Sequence, residues 1–572
     1  MNYDLEFLNK KLRENFGLKS FRKGQDEIIQ TVLKGRNTLV VMPTGGGKSL
    51  CFQLPAIILN GTALIISPLI ALMKDQTDAL RRLKIAATFI NSSLELEEMN
   101  ARISEMLDGA YKIVYIAPER LDSPRFIDAL KQAQISFLAV DEAHCISQWG
   151  HDFRPSYLLI AKALEELPQI PVIALTATAT PEVQSDIIKS LRVKNVKKFI
   201  RGFDRPNLHY ITKEITYNKA LPISQVLTKT KNGSTIVYCG TRKKVEEYAA
   251  ALQEMRHDVQ IYHAGLEDAI RKKNQEEFLN KENSVILATN AFGMGIDKPN
   301  VRNVIHTNLP LSLEAYYQEA GRAGRDGKAA FCYLFHDFGD VRLQDFFIDS
   351  NYPFFNEFVA VYNALYNVQS VKIGELCPPH PITLSVEQIA NKSKVSIYSC
   401  QSVLKFLEKA NVITENLKFQ PSLIKLNSSR ERFLEYYANI SGQRKKILEA
   451  ILRSISSSAF RRPVEFNINY FLKKYFFHYD DFISALNSFK LSSLIDFSMP
   501  LPPGIILLDK RRKDNEIPVD FKDIKKKRDR AYGKAEIVLN YANTEQCKRN
   551  FILDYFEDDE YESVCGRCSS CK

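Results

Sequence analysis

The stretch LVVMPTGGGKS, residues 39–49, decides the fold of this chain. Four apolar residues predict a short buried strand, three consecutive glycines predict a tight loop, and Lys48 and Ser49 are expected to begin a helix. Glycines let backbone N–H groups surround the β- and γ-phosphates of a nucleotide, and a helix N-terminus adds a partial positive charge. Lys48 would then reach the phosphates and the Ser49 hydroxyl would bind Mg²⁺. The residues expected to hold the nucleotide phosphates are Thr44, Gly45, Gly46, Gly47, Lys48 and Ser49.

A plain glycine turn between a strand and a helix is the alternative explanation of this stretch. Met42 occupies the position at which the general phosphate-loop pattern has a glycine. The combination of strand, glycine turn and Gly-Lys-Ser nevertheless favours a phosphate loop.

The bulk composition limits the class of protein. A chain of 572 residues exceeds what one hydrophobic core organises, so we expect three or four domains. A net charge of +11 favours a polyanionic partner without identifying it. The N-terminus has no apolar signal core, and the most apolar stretch, 55–73, is interrupted by Asn60, Gly61, Ser67 and Pro68. We therefore expect no membrane segment and a location in a reducing cytoplasm.

Short apolar runs alternate with helical patterns and predict the parallel strands of an α/β sheet: residues 38–42, 63–67, 113–116, 137–140 and 172–175. Asp141 and Glu142 directly follow one of these strands, at the edge of the sheet where ligands gather. Asp141 would hold the Mg²⁺ that Ser49 also touches. Glu142 would orient and deprotonate an attacking water.

Several motifs resemble those of superfamily-two helicases: DEAH at 141–144, LTATAT at 175–180 and GRAGRDG at 321–327. Three further runs narrow the resemblance to the RecQ family of DNA helicases: FRKGQ at 21–25, MPTGGGKS at 42–49 and CISQWGHDFRPSY at 145–157. The resemblance is dense over about residues 10–340. It implies an ATP-dependent DNA helicase that travels 3′-to-5′ on single-stranded DNA and unwinds duplex or branched DNA in recombination and repair.

The same resemblance implies cofactors and partners. ATP and Mg²⁺ would serve the motor, and Zn²⁺ would serve the C-terminal cysteines. Single-stranded, duplex and branched DNA would be the nucleic-acid partners, with single-strand-binding and recombination proteins beside them. We expect a monomer in the cytoplasm, associated with the nucleoid if the source is bacterial.

Family resemblance also assigns roles that spacing alone does not give. Gln25, with Arg22 beside it, is implied to bind adenine, because a carboxamide can exchange two hydrogen bonds with the N6/N7 edge. Trp149, the only tryptophan, is implied to stack on a base together with Phe153 and Arg154, and so to report single-stranded DNA to the ATP site. The alternatives are an ordinary helix start for Gln25 and an aromatic cluster that seals the domain for Trp149.

A second sheet is predicted after a hinge in RGFDRPNLHY, residues 201–210. Its strands are expected at 235–239, 261–263, 285–288 and 304–306. Arg322 and Arg325 lie three apart, hence on one face if helical. Arg325 would meet the γ-phosphate across a cleft, with Arg322 bracing it and Gln318 in the expected frame for the nucleotide. An arginine so supplied is worth roughly 10³–10⁵ in rate, and a solvated basic face is the alternative.

The last third matches the commonest family layout less well. Residues 383–407 predict two short helices around a turn, with a capping box formed by Ser385 and Gln388, and resemble a winged helix-turn-helix. An ordinary helical hairpin is the alternative. Basic runs at 510–513 and 525–530 would grip phosphates if they lie near DNA, although such runs are most often solvated faces.

The chain carries four clustered cysteines near its C-terminus: Cys547, Cys565, Cys568 and Cys571. Four thiolates at this spacing predict a closed tetrahedral zinc site, and the spacing matches the RecQ zinc module. An iron–sulfur cluster is the alternative, because Cys-x2-Cys-x2-Cys also occurs there.

The predicted architecture is α/β, with two tandem RecA-like parallel-sheet domains, then a helical and winged-helix-like region and a C-terminal zinc-binding helical module. The expected boundaries are 1–203, 204–340, 341–520 and 521–572.

Overall fold

The computed structural model describes residues 3–43, 45–147, 150, 152–230, 232–293, 296, 298–377, 380–416, 419, 421–558 and 564–571. The chain forms two compact units. Unit 1 comprises Met1–Asp345 and Arg530–Lys572, and unit 2 comprises Phe346–Asp529. Among the described residues, none of the helices combines the length and apolar character that crossing a bilayer requires.

The first part of unit 1 alternates helices and strands: α1 (Leu5–Phe16), α2 (Gln25–Leu33), β1 (Thr38–Val41), α3 (Leu50–Ile58), β2 (Thr62–Ile66), α4 (Ile70–Arg82), β3 (Ala87–Ile90), α5 (Leu96–Leu107), β4 (Ile113–Ile116), α6 (Pro124–Gln132), β5 (Ile135–Val140), α7 (Leu159–Glu166), β6 (Val172–Thr176), α8 (Pro181–Leu191) and β7 (Lys197–Ile200). The strands form one parallel sheet in the order β3-β4-β2-β5-β6-β1-β7. The predicted first parallel sheet is confirmed.

The second part of unit 1 repeats the pattern: β8 (Leu208–Glu214), α9 (Ala220–Lys229), β9 (Ser234–Tyr238), α10 (Arg242–Glu254), β10 (Gln260–Tyr262), α11 (Asp268–Asn280), β11 (Val285–Ala288), β12 (Val301–His306), α12 (Leu313–Ala320), β13 (Ala330–His336) and α13 (Gly339–Asn351). Its sheet is also parallel, in the order β10-β11-β9-β12-β13-β8. The second predicted sheet is therefore confirmed as well.

Both faces of the first sheet are covered, which explains the uninterrupted apolar runs of its strands. Along β1, Leu39 and Val41 enter one core and Val40 enters the other. The core that contains Leu39 continues into the second sheet and reaches Tyr541 and Phe556 near the C-terminus. The two sheets and the C-terminal helices of unit 1 thus share buried apolar surface.

Unit 2 consists of helices and short strands; its last helix, α21, continues into unit 1, where α22 follows. The elements are α14 (Phe355–Val368), α15 (Val386–Ser393), α16 (Ile397–Lys409), β14 (Ile413–Asn416), β15 (Leu423–Leu426), α17 (Arg430–Asn439), α18 (Gly442–Ser454), β16 (Val464–Glu465), α19 (Ile468–Tyr475), α20 (Tyr479–Leu491), β17 (Ile495–Ser498), β18 (Gly504–Leu507), α21 (Phe521–Asn543) and α22 (Lys548–Tyr555).

The outer module of unit 2, residues 346–416 and 504–529, has the topology of a winged helix. The predicted capping box of Ser385 and Gln388 begins α15. After α16, β14 pairs antiparallel with β18, and Ile382 forms a bridge to Ile505. A Cβ at Gly504 would lie 2.4 Å from the Ile382 carbonyl oxygen, so this close approach requires glycine. The strand pairing distinguishes a winged helix from a simple helical hairpin.

An inserted module, residues 421–500, occupies the position of the wing between β14 and β18. Its strands form an antiparallel sheet in the order β16-β15-β17, and the order β16-α19-α20-β17 again resembles a winged helix. Here the middle strand, β15, comes from the start of the module. The inserted module has its own core around Ile424, Phe471 and Phe482, separate from the core of the outer module around Tyr362 and Leu407. Sequence patterns did not predict this second module.

Separate cores predict separate responses to mutation. Ile424 is fully buried in β15, and an Ile→Ala change at such a site costs about 2–5 kcal/mol. We expect Ile424→Ala to accelerate hydrogen exchange in the inserted module and to leave amides of β1 and β5 protected. Leu434→Ala is the matched control, because Leu434 in the same module is 58% exposed. Equal loss of protection in both units would contradict the division into separate cores.

Candidate functional site

The glycine loop after β1 has the geometry that its sequence predicts. Gly45 and Gly47 adopt positive φ values of 80° and 82°, a region that side chains rarely enter. A Cβ at Gly47 would also lie 2.4 Å from Nε2 of Gln25. The helix begins at Leu50 with Ser49 as its N-cap, one to two residues later than expected. Thr44 lies outside the described residues.

Lys48 folds back onto the loop that it follows. Its Nζ donates to the carbonyl oxygens of Met42 at 3.1 Å and Pro43 at 3.3 Å. Burial lowers the pKa of Lys48, while the carboxylates of Glu142 and Asp141 act in the opposite direction. The half-buried ammonium group could thus exchange these carbonyl oxygens for the stronger acceptors of a phosphate.

The two carboxylates stand at the end of β5, as predicted. The Glu142 N–H donates to Oδ1 of Asp141 at 3.0 Å, and the Tyr157 hydroxyl donates to the Asp141 carbonyl oxygen at 2.9 Å. Glu142 has a left-handed backbone, with φ of 46°, which is uncommon for a residue other than glycine. Its Oε2 lies 3.3 Å from Nδ1 of His144, which is itself 2.8 Å from the Thr176 hydroxyl.

The pair of carboxylates suits a cation. Burial, reinforced by the Glu142 charge, raises the pKa of Asp141. Two adjacent acidic groups held inside a protein are stabilised when a divalent cation is added, and oxygen ligands are the ones that Mg²⁺ prefers. Ser49 is the N-cap of the helix that follows the phosphate loop. These residues therefore fit a nucleotide-bound magnesium ion.

Gln25 and Arg22 lie against the phosphate loop. Gln25 is 2% exposed and its Nε2 donates to the Gly47 carbonyl oxygen at 3.1 Å, while its Oε1 accepts from the Arg22 N–H at 2.8 Å. Arg22 also donates to the Gly45 carbonyl oxygen. Both ends of the Gln25 amide are thus engaged by the protein here, so contact with adenine would require these bonds to be exchanged.

The second sheet brings Arg325 to the same loop. A Cβ at Gly45 would lie 3.6 Å from Cγ of Arg325, and the Arg325 charge acts on Lys48. Arg322 is 5% exposed and packs on Gly293, where a Cβ would lie 2.6 Å from Nη2. Gln318 lies half-buried on α12. Because α12 ends at Ala320, the two arginines lie in a turn and not along one helical face.

A hinge segment, residues 201–207, holds this turn. The Arg205 guanidinium donates to the carbonyl oxygens of Gly321, Ala323 and Gly324, at 3.2, 2.9 and 3.2 Å. Asn207 Nδ2 donates to the Gly324 oxygen at 2.8 Å. Sequence reasoning recognised a hinge here but missed that its side chains fix the backbone around Arg325.

Residues of α22 and of the turn after it contact the same hinge segment. Arg549 Nε pairs with Asp204 Oδ1 at 2.6 Å, and the Phe203 N–H donates to Asp558 at 2.8 Å. The rings of Phe203 and Phe556 are stacked, with centroids 4.3 Å apart. Both side chains of the Arg549–Asp204 pair are largely buried, so breaking one partner leaves an uncompensated charge.

The four C-terminal cysteines come together as predicted. Their Sγ atoms all lie within 4.8 Å of one another, and none is in a disulfide. A tetrahedral ion with metal–sulfur bonds of ~2.3 Å requires sulfur atoms at about this separation. Lys548 Nζ binds the carbonyl oxygens of Tyr541, Ala542 and Thr544 and so turns the chain from α21 toward Cys547. The donor set fits a structural metal ion.

The aromatic run after the carboxylates is only partly described, and Trp149 lies outside the described residues. Arg154 Nη1 donates to the Pro68 carbonyl oxygen at 2.9 Å and its Nη2 binds Asp152 at 2.9 Å. Phe153 is half-buried beside it. Cys145, which sequence reasoning passed over, lies 3.9 Å from Asp152. The run therefore connects the carboxylate strand to the loop after β2.

The chain is similar to known helicases in three separate regions. Residues 22–187 match the family described as DEAD/DEAH box helicase, residues 218–327 the helicase conserved C-terminal domain, and residues 509–572 the RecQ zinc-binding domain. The chain is 48% identical over 342 residues to the ATP-dependent DNA helicase RecQ of Bacillus subtilis (59% of this chain, 58% of that one).

Two further relatives give a similar result. The ATP-dependent DNA helicase RecQ of Haemophilus influenzae is 46% identical over 58% of this chain and 53% of its own length. The probable ATP-dependent DNA helicase RecS of Bacillus subtilis is 42% identical over 59% of this chain and 68% of its own length. The chain thus spans between about half and two thirds of these curated relatives.

The cysteine cluster yields a prediction about the hinge. We expect Cys568→Ser to abolish metal retention, measured by elemental analysis, because a structural four-cysteine site contributes ~10–16 kcal/mol apparent. Hydrogen exchange at the Phe203 amide, whose acceptor is Asp558, should then accelerate, while amides of β1 remain protected. Cys377→Ser is the control, since Cys377 lies outside the cluster. Unchanged protection of Phe203 after metal loss would contradict a metal-supported hinge.

Proposed function

Because this chain belongs to the RecQ family of ATP-dependent DNA helicases, we propose that it hydrolyses ATP to move 3′-to-5′ along single-stranded DNA and to unwind duplex or branched DNA in recombination and repair. One observation carries most of the proposal. Arg325, from the second sheet, packs against Gly45 in the phosphate loop of the first. A triphosphate bound between them would touch both sheets.

Each residue at this junction has a chemical task. Lys48 would bind the β- and γ-phosphates in place of the loop carbonyl oxygens that it now contacts. Glu142 would orient the attacking water and accept its proton. Arg325 would stabilise the charge that develops on the γ-phosphate, and Arg322 would brace the turn. Mg²⁺, held by Ser49 and Asp141, would neutralise phosphate charge.

Movement would follow from the same contact. ATP bridges residues 1–203 and 204–340 when the cleft closes, and hydrolysis removes the bridge. Phosphates of a DNA strand held by loops on both sheets would then be passed along as the cleft opens and closes. Because Arg154 donates to the Pro68 carbonyl oxygen in the loop after β2, a strand that contacts this region would influence the ATP site. Trp149, Phe153 and Arg154 would in this way report DNA to the ATP site.

Recognition of the nucleotide base would rest on Gln25 and Arg22, with Gln318 and the residues Thr44 to Ser49 around the phosphates. For the C-terminal module we propose zinc as the ion held by Cys547, Cys565, Cys568 and Cys571. Elemental analysis for zinc and iron distinguishes this assignment from an iron–sulfur cluster.

The central test is hydrolysis stimulated by single-stranded DNA. We expect Glu142→Gln and Arg325→Ala each to lower the stimulated kcat for ATP by about 10³-fold, because both groups act mainly in the transition state. Arg192→Ala is the matched control, since Arg192 is a solvent-exposed arginine in the same unit. Normal stimulated hydrolysis in Arg325→Ala would overturn the proposed mechanism.

Unwinding assays test the substrate and the direction. Duplexes that carry a 3′ tail should be separated and those with only a 5′ tail should not. Preference for RNA duplexes would instead indicate an RNA helicase, and DNA binding without hydrolysis would indicate a regulator.

The hinge contacts generate a second prediction. Arg205 binds three carbonyl oxygens of the turn that carries Arg325. We expect Arg205→Ala to lower kcat for ATP roughly 10–100-fold with little change in KM, because misplacement of a catalytic group by about 1 Å costs this much. Arg205→Lys should restore only part of the rate, since a single ammonium does not reproduce a planar fork. A change confined to KM would contradict a positioning role.

A further inference from the structure

The corner between α19 and α20 of the inserted module combines exposed aromatic rings with lysines. This aromatic corner, residues 470–479, reads YFLKKYFFHY. Phe471 points into the core of the module, but Tyr470, Phe476 and Tyr479 are 47%, 89% and 51% exposed. Packing of the module therefore does not explain why three large rings face solvent here.

Phe476 is the most unusual residue of the corner. It adopts a left-handed backbone with φ of 53°, a conformation that is rare and costly for a bulky side chain. Within the described part of the chain, its ring contacts neither another ring nor a cation at the distances where such pairs form. Glycine would adopt this backbone conformation at a lower cost and would expose less apolar surface. Neither the backbone conformation nor solvation therefore explains a phenyl group at this position.

Two lysines, Lys473 and Lys474, lie among the aromatic residues of the corner. Lys474 Nζ lies 4.9 Å from the ring centroid of Tyr470 and 5.5 Å from that of Tyr475. Neither Lys473 nor Lys474 pairs with a carboxylate among the residues that the structure describes. Residues 421–500 contain twelve Lys or Arg and seven Asp or Glu, a net charge of +5. The net charge of the module as a whole therefore favours a polyanionic partner.

The charges at the start of α20 argue against insertion of this helix into the major groove of duplex DNA. In a helix-turn-helix the second helix enters the major groove by its N-terminal residues. Here those residues include Asp480 and Asp481, which are both exposed and would face the phosphates and base edges. Surfaces that bind single-stranded nucleic acid instead combine exposed aromatic side chains, on which unpaired bases stack, with basic residues that contact the phosphates.

We propose that the aromatic corner is a second nucleic-acid site, which binds unpaired bases of single-stranded DNA. Phe476 and its neighbouring tyrosines would stack on bases, and Lys473 and Lys474 would contact the adjoining phosphates. The inference rests on the proposed DNA-motor function for the identity of the polyanion. It adds a DNA contact outside the two sheets that bind the nucleotide.

The test uses the full chain without ATP and an oligo(dT) of about 30 nucleotides substituted with bromodeoxyuridine. Ultraviolet crosslinking should label the peptide that contains residues 470–479. Phe476→Gly removes the ring and also relieves the backbone, so its melting temperature should equal or exceed that of the wild type. Its affinity for the oligonucleotide should fall about tenfold with an unchanged salt dependence, because stacking carries no counterion release.

A second variant separates charge from stacking. Lys473→Ala/Lys474→Ala should reduce the slope of log K against log salt by about 1.4, or ~0.7 for each phosphate that a lysine no longer neutralises. Leu491→Ala is the matched control: Leu491 is 88% exposed at the opposite end of α20 and should affect neither quantity.

The outcomes distinguish this site from the motor. Wild-type affinity and salt slope in both variants would overturn the aromatic corner as a DNA site, even if DNA stimulates ATP hydrolysis normally. Crosslinking to residues 470–479 in a chain that lacks stimulated hydrolysis would support the site and reject the motor. A change of sedimentation coefficient in Phe476→Gly would identify a second copy of the chain as the occupant and overturn the proposal.

Discussion

The structure depends on one contact between its two parallel sheets: the side chain of Arg325 against Gly45 of the phosphate loop. Neither sheet contains a complete site. The first supplies the loop, Lys48 and the two carboxylates, while the second supplies the arginine. Glycine is favoured at the contact because the backbone there has a positive φ of 80°, a region that side chains rarely enter. The proposed ATP hydrolysis therefore depends on the distance between the two domains that carry these residues.

Residues near the C-terminus hold the hinge segment between the two domains. Arg205 fixes the backbone of the arginine turn, and its neighbours Phe203 and Asp204 are held by Asp558 and Arg549. Arg549 and Asp558 both lie between Cys547 and Cys565 of the cysteine cluster in the sequence. The C-terminal module thus belongs to the mechanical framework of unit 1, since its apolar side chains also join the core beneath the second sheet.

The sequence allowed the prediction of features encoded in short contiguous motifs. The phosphate loop, the Asp141–Glu142 pair and the cysteine cluster each follow from residue types at fixed spacing. Contacts made by backbone carbonyls were not predictable, because no residue type marks them: the bonds of Arg205 and of Gln25 are of this kind. The inserted module was also missed, since β15 finds its partners, β16 and β17, only after intervening helices, and no local period reveals such pairing.

The inserted module is attached to the outer module at two neighbouring positions, the end of β14 and the start of β18. Asn416 and Gly504 are directly paired across two antiparallel strands, so the two points of attachment lie only ~5 Å apart. The inserted module therefore takes the place of the hairpin loop between β14 and β18 of the outer module. A different module could be inserted at such a hairpin without a change in the register of β14 and β18. Modules of different structure can therefore be joined at this hairpin while the framework of the two parallel sheets stays the same.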